Sequence, residues 1–155
     1  MNDSINWLNH DHLGYELLLQ DCQTAAEQED WKGVKRIFEK LVTGIKVHML
    51  MEEEVLYPAY EAAVNTPHDP TQALREEHSE IVRLLRNLSQ VLKTNDSELF
   101  LDSLVPLEEV MTKHHEKEEE IFLPMAGHVL LAQRDEIMRK LESFDPKASG
   151  DTGSV

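Results

Sequence analysis

The sequence predicts an all-α protein: an up-down-up-down four-helix bundle with a short extra C-terminal helix and a disordered tail. Three observations carry this. Along four long segments, apolar residues recur at alternating steps of three and four, the spacing that lines one face of a helix. No stretch shows the sustained alternation of a half-buried strand. Only six Gly and six Pro interrupt 155 residues, so long helices joined by short turns are the natural solution.

The elements follow in order. Asp3 or Ser4 can cap a first helix running to about Gln28, with the seam Ile5, Leu8, His12, Tyr15, Leu19, Cys22, Ala26. Asp30 can cap a second, to about Val64, with Val34, Phe38, Leu41, Ile45, His48, Glu52, Val55 and Ala59. Pro58, like Pro124 in the fourth helix, frees a carbonyl one turn back, at Glu54 and Glu120, and should bend its helix. The cluster from Asn65 to Pro70 is a turn in which Asp69 can cap a third helix, with Pro70 at its first position. That helix ends near Thr94, and its seam is Leu74, His78, Ile81, Leu85, Leu88, Leu92. The fourth runs from about Glu98 to Ala126 through Phe100, Leu104, Leu107, Met111, His114, Glu118, Ile121 and Met125. Gly127 should end or bend it before a short helix from about Leu130 to Ser143. Residues 1–144 are thus expected to form the domain, and the polar segment 145–155 a disordered tail.

Thirty acidic against fifteen basic residues leave a net charge of -15. This argues against nucleic acid and against an anionic membrane surface, both of which demand a basic patch. The single Cys22 excludes a disulfide framework and any Cys-based zinc module. No apolar run approaches the ~18 residues of a membrane span, and the opening residues are unlike a secretory signal. The expected address is the cytoplasm.

Every seam is apolar except at six positions: His12, His48, Glu52, His78, His114 and Glu118. These positions repeat. His12 and His78, His48 and His114, Glu52 and Glu118, and Pro58 and Pro124 are each 66 residues apart. The repeat implies two helical hairpins related by a pseudo-twofold axis. His48 with Glu52 and His114 with Glu118 are i, i+4 pairs on one helix face. Two unpaired carboxylates in an apolar core would each cost several kcal/mol, and bound cations remove that cost. Imidazole with carboxylate and no thiolate suits iron, manganese or zinc. Two carboxylates shared among four nitrogens fit a dinuclear centre, with Glu52 and Glu118 bridging. The other histidines, His10, His68, His115 and His128, are expected at the surface, with His10 or His115 able to stand behind a ligand. Met49, Met51, Met111 and Met125 read as gap-filling core or near-core residues, and Trp7 and Trp31 as packing at the bundle ends.

The text Asp11-His12, His48-Met49-Leu50-Met51-Glu52-Glu53 ending at Pro58, Glu77-His78, and His114-His115-Glu116-Lys117-Glu118-Glu119 ending at Pro124 resembles the hemerythrin-like, or HHE cation-binding, family. The likeness spans roughly residues 5 to 140. It implies two non-haem iron ions, oxo- or hydroxo-bridged, and reversible binding or sensing of O2, or reactions with NO or peroxide. O2-carrying members have a second His one turn after the helix 3 His, where this chain has Val82. The matching place in helix 1 is Glu16, a possible extra carboxylate, and Tyr15 could approach a metal. Glu53 and Glu119 each neighbour a candidate ligand and could swing onto one. Those members also use an Asp near the end of helix 4, where this chain offers Glu118. The expected function is therefore uptake of O2, NO or peroxide at a carboxylate-bridged centre against a wall of Leu41, Ile45, Ile81, Leu85, Met111 and Ile121. The alternative is a di-iron enzyme with peroxidase-like, NO-reducing or oxidase activity. The Glu-x-x-His pairs of ferritin-like oxidases are absent from the sequence.

Overall fold

A computed structural model describes residues 3–64, 70–130 and 133–143. Its elements are α1 (Asp3–Glu27), α2 (Trp31–Met51), π1 (Glu52–Leu56), α3 (Tyr57–Val64), α4 (Thr71–Leu92), α5 (Ser97–Lys117), π2 (Glu118–Phe122), α6 (Leu123–Leu130) and α7 (Arg134–Glu142). The described residues are all-helical, without strands. The expected cap Asp69, the tail 145–155 and the side chains of Asp3, Ser4, Ile5, Trp7, Leu8, His10, His68 and His128 lie outside the described residues.

Local chemistry sets the helix starts. Asp30 accepts a hydrogen bond from the Gly33 amide at 3.1 Å, and Asp96 from the Leu99 amide at 3.0 Å, each meeting one of the amides a helix leaves unpaired at its N-terminus. Pro70 stands at the N-cap of α4, one place earlier than the first helical position the sequence predicts. Short turns carrying left-handed Glu29 (φ 55°) and Asn95 (φ 53°) close two hairpins, α1 on α2 and α4 on α5. The hairpins meet through α1 with α5 and α2 with α4. At the far end, Ser97 Oγ donates to the Ala26 carbonyl at 2.7 Å, and Trp31 packs edge-on against Phe100.

Two departures from the predicted seams share one cause. Each long rod, 31–64 and 97–130, contains a π turn that starts at its glutamate. Tyr57 N–H bonds the Glu52 carbonyl and Leu123 N–H the Glu118 carbonyl, an i to i+5 reach. The next residue in each case is proline, which has no N–H to continue the ladder. The extra residue per turn shifts the inward face by one position, about 100°. Beyond π2 the core residues are therefore Phe122, Leu123 and Ala126, whereas Ile121 and Met125 are 51% and 47% exposed. Ile121 is thus no part of an apolar wall and Met125 fills no core gap. Beyond π1 the inward residues are Leu56, Tyr57 and Tyr60 beside Val55, while Ala59 is only half-buried. Gly127 neither ends nor breaks α6.

The register shift has a measurable consequence. Phe122→Ala should cost the metal-free protein about 3–5 kcal/mol, and Ile121→Ala less than about 0.5 kcal/mol, in denaturant unfolding. The reverse order would restore the unbroken heptad register.

The apolar interior has two parts. A larger cluster along α1, α2, α4 and α5 includes Leu41, Ile45, Leu85, Leu88, Phe100, Leu107 and Met111. A smaller one gathers Leu56, Tyr57, Tyr60, Leu74, Phe122, Leu123 and Ile137, the last brought by α7. The six polar seam residues form the layer between them.

Candidate metal centre

His48 and His114 lie in the last turns of α2 and α5, and Glu52 and Glu118 open the π turns that follow. His12 comes from α1 and His78 from α4. All six are at most 4% exposed. They form two groups, His12, His48, Glu52, Glu118 and Glu52, His78, His114, Glu118, in each of which one ligand atom per residue lies within 4.8 Å of every other. The two carboxylates are common to both groups.

The atoms at the centre are mutually acceptor-rich. Glu52 sends Oε1 to 2.9 Å from His78 Nε2 and Oε2 to 3.2 Å from His48 Nε2. Glu118 Oε1 is 3.1 Å from His12 Nε2 and 3.5 Å from His114 Nε2. The Nε2 atoms of His12 and His48 are 3.3 Å apart, and those of His78 and His114 are 3.1 Å apart.

The outer nitrogens explain the inner ones. His12 Nδ1 meets Glu119 at 2.8 Å, His48 Nδ1 meets Asp11 at 3.0 Å, His78 Nδ1 meets Glu53 at 2.5 Å and His114 Nδ1 meets Glu77 at 2.8 Å. A carboxylate accepting from Nδ1–H selects the tautomer whose Nε2 carries a lone pair. All four lone pairs then point at the two shared carboxylates, a concentration of acceptors that bound cations would satisfy. Glu52 Oε1, Glu52 Oε2 and Glu118 Oε1 are buried without a hydrogen-bond partner. Four neutral imidazoles, two carboxylates and orphaned oxygens at one level are a donor set that fits a pair of divalent or trivalent cations.

Without metal the same groups hold protons. Burial alone would keep His48 neutral, but the Glu52 charge and the Asp11 hydrogen bond overcome it and raise its pKa to about 10. Burial likewise opposes His78, and the Glu52 and Glu53 carboxylates, 2.9 Å and 2.5 Å from its two nitrogens, raise it to about 9. Glu52 is held ionised, well below the usual carboxylate range, because the His48 charge and the close imidazole nitrogens of His48 and His78 outweigh burial. Glu118 moves the other way, raised by burial and by the negative charge of Glu52.

Several neighbours stand elsewhere than the sequence suggests. Glu53 and Glu119 are occupied by the outer nitrogens of His78 and His12. Tyr15 donates to the Gly44 carbonyl at 2.9 Å. Glu16 is exposed, in the wall of a cleft between α1 and α5. His115 is a correction: instead of lying at the surface it is 7% exposed, with its ring flat on His12 at 3.7 Å between centroids. Burial, then the charges of His12, His114 and His48, lower its pKa to about 2. Tyr57, which sequence reasoning did not single out, is fully buried and donates to Glu118 Oε2 at 2.7 Å. Asp11 and Glu77 were legible as a pair 66 residues apart, the signal that could have assigned them to the site.

The family profile described as "Hemerythrin HHE cation binding domain" matches residues 3–126. The chain belongs to the hemerythrin HHE cation-binding domain family. The match includes all six residues of the centre and both π turns. No curated protein and no solved structure matches the chain. Among the described residues of this hemerythrin-family domain, no helix is long and apolar enough to cross a membrane.

Proposed function

We propose that this hemerythrin-family chain is an up-down-up-down bundle holding two non-haem iron ions, and that it binds O2 or a related small ligand, NO or peroxide, in sensing or handling of oxygen, redox state or iron in the cytoplasm. The observation that carries this is the pair of four-residue groups sharing Glu52 and Glu118. His12 and His48 would hold one ion, and His78 and His114 the other. Iron supplies reversible electron transfer and Lewis acidity at such nitrogen and oxygen donors. The chain supplies the rest. Asp11, Glu53, Glu77 and Glu119 orient the four rings and raise their basicity. Leu41, Ile45, Ile81, Leu85 and Met111 exclude water from the adjoining core.

Val82 favours a second reading, turnover with peroxide or NO. It lines a cleft of about 400 Å³ between α2 and α4 that reaches His78, so the side occupied by a further histidine in O2-carrying relatives is open here.

Anaerobic iron loading, with elemental analysis and optical spectra on adding O2, NO and peroxide, tests the proposal. Two irons per chain and a ligand-dependent spectrum are expected. One tightly held zinc per chain, unchanged by iron, overturns it.

A further inference from the structure

The two hairpins repeat one another at the centre, but the two shared carboxylates differ in what hydrogen-bonds them. Glu52 and Glu118 are partners in the 66-residue repeat, and so are Tyr57 and Leu123. Leu123 has no polar atom to offer Glu52. Tyr57 donates its hydroxyl to Glu118 Oε2 at 2.7 Å. The result is visible in the unsatisfied atoms: both oxygens of Glu52, but only Oε1 of Glu118.

From this we infer that Tyr57 is a positioning residue that makes the two shared carboxylates, and with them the two metal positions, unequal. The inference rests on the two-metal reading above. Glu52 presents one oxygen to each pair of histidines, Oε1 toward His78 and Oε2 toward His48. Glu118, with Oε2 held by the phenol, presents the same oxygen to both pairs, at 3.1 Å from His12 Nε2 and 3.5 Å from His114 Nε2. The phenol oxygen also stands 3.5 Å from His78 Nε2, so it closes one side of the His78–His114 position, and its repeat partner Leu123 offers no hydroxyl at the other. Metal held by His12 and His48 therefore has Glu118 nearer and no hydroxyl beside it.

The ring is fixed where this requires. Tyr57 packs edge-on against Phe122 at 5.4 Å, and the Arg75 guanidinium lies over its ring, 5.3 Å from the centroid. Arg75 is itself tied to Glu61, which Thr71 also donates to. The hydroxyl has little freedom to leave Glu118, and removing the oxygen alone leaves these ring contacts in place.

The test is Tyr57→Phe, compared with the unsubstituted protein after identical iron loading. Iron content is read on the same samples, so failure of the two-metal reading shows as a wrong metal count in both. With two irons present, the unsubstituted protein should give two Mössbauer quadrupole doublets of equal area. Its iron should leave to a chelator in two phases about tenfold or more apart in rate, the scale on which partners behind a ligand tune metal affinity. Infrared spectra with labelled glutamate should show two carboxylate binding modes. In Tyr57→Phe the doublets should converge, release should approach one phase and the two carboxylate modes should become alike. A merely structural tyrosine would alter thermal stability and move none of these. Unchanged doublets, phases and carboxylate bands in an iron-loaded Tyr57→Phe protein overturn the inference, as does an unsubstituted protein whose two irons are already equivalent.

Discussion

Glu52→Gln should abolish loading of the metal pair, reducing iron from two per chain to one or none by elemental analysis. Among the described residues, Glu52 alone has both side-chain oxygens buried and unsatisfied, one beside His48 and the other beside His78. An amide keeps the shape and one oxygen, but it carries no charge, and its nitrogen would turn a donor toward a metal. The comparison is Glu53→Gln. The Glu53 carboxylate meets the outer nitrogen of His78, so its loss should leave two irons but weaken binding about 10–100-fold. Equal losses in the two variants would mean that Glu53 is a ligand and the assignment of inner and outer carboxylates is wrong.

The metal-free and metal-loaded forms should respond to pH with opposite sign. In the metal-free protein, His48 and His78 are raised to about 10 and about 9 from an ordinary 6.5. The stability they contribute is complete below pH 6.5 and is lost as pH rises toward 9 and 10. The raised Glu118 acts in the same direction. Below pH 6.5 His115 opposes them, because protonating it costs the folded state. Metal binding requires the protons to leave His48 and His78, so affinity grows over the same interval in which the metal-free fold weakens. At a free metal concentration ~1,000 times the dissociation constant, loading adds about 4 kcal/mol, or roughly 10 °C in Tm. Thermal melts of chelated and iron-loaded protein between pH 6.5 and 9 should therefore diverge. Parallel curves would show that these histidines do not exchange protons for metal.

Much of this was legible before any coordinates. The six inward polar residues follow from helical periodicity, which is local: an i, i+4 pair shares a face whatever surrounds it. The 66-residue offset supplies the symmetry, and one match at His12 or His48 predicts the other at His78 or His114. The family match over residues 3–126 spans all of these positions.

What the sequence by itself determined, then, is the helical class, the seams as far as the π turns, and which residues interrupt them. The tertiary structure alone decided which group reaches which. Glu119 serves His12 from 107 positions away, and Asp11 serves His48 across 37; no local rule pairs them, because the partner is chosen by which helices lie side by side. It also decided that His115 is buried on His12, although one step off a seam ordinarily reaches solvent. The prolines announced a disturbance, but whether the chain bends or adds a residue to the turn depends on what the core beyond will accept. Here a π turn places Phe122 and Tyr57 inward. Tyr57 reaches Glu118 on the other hairpin only because of that rotation. Periodicity is a property of one helix; satisfaction of a buried polar atom is a property of all the helices around it.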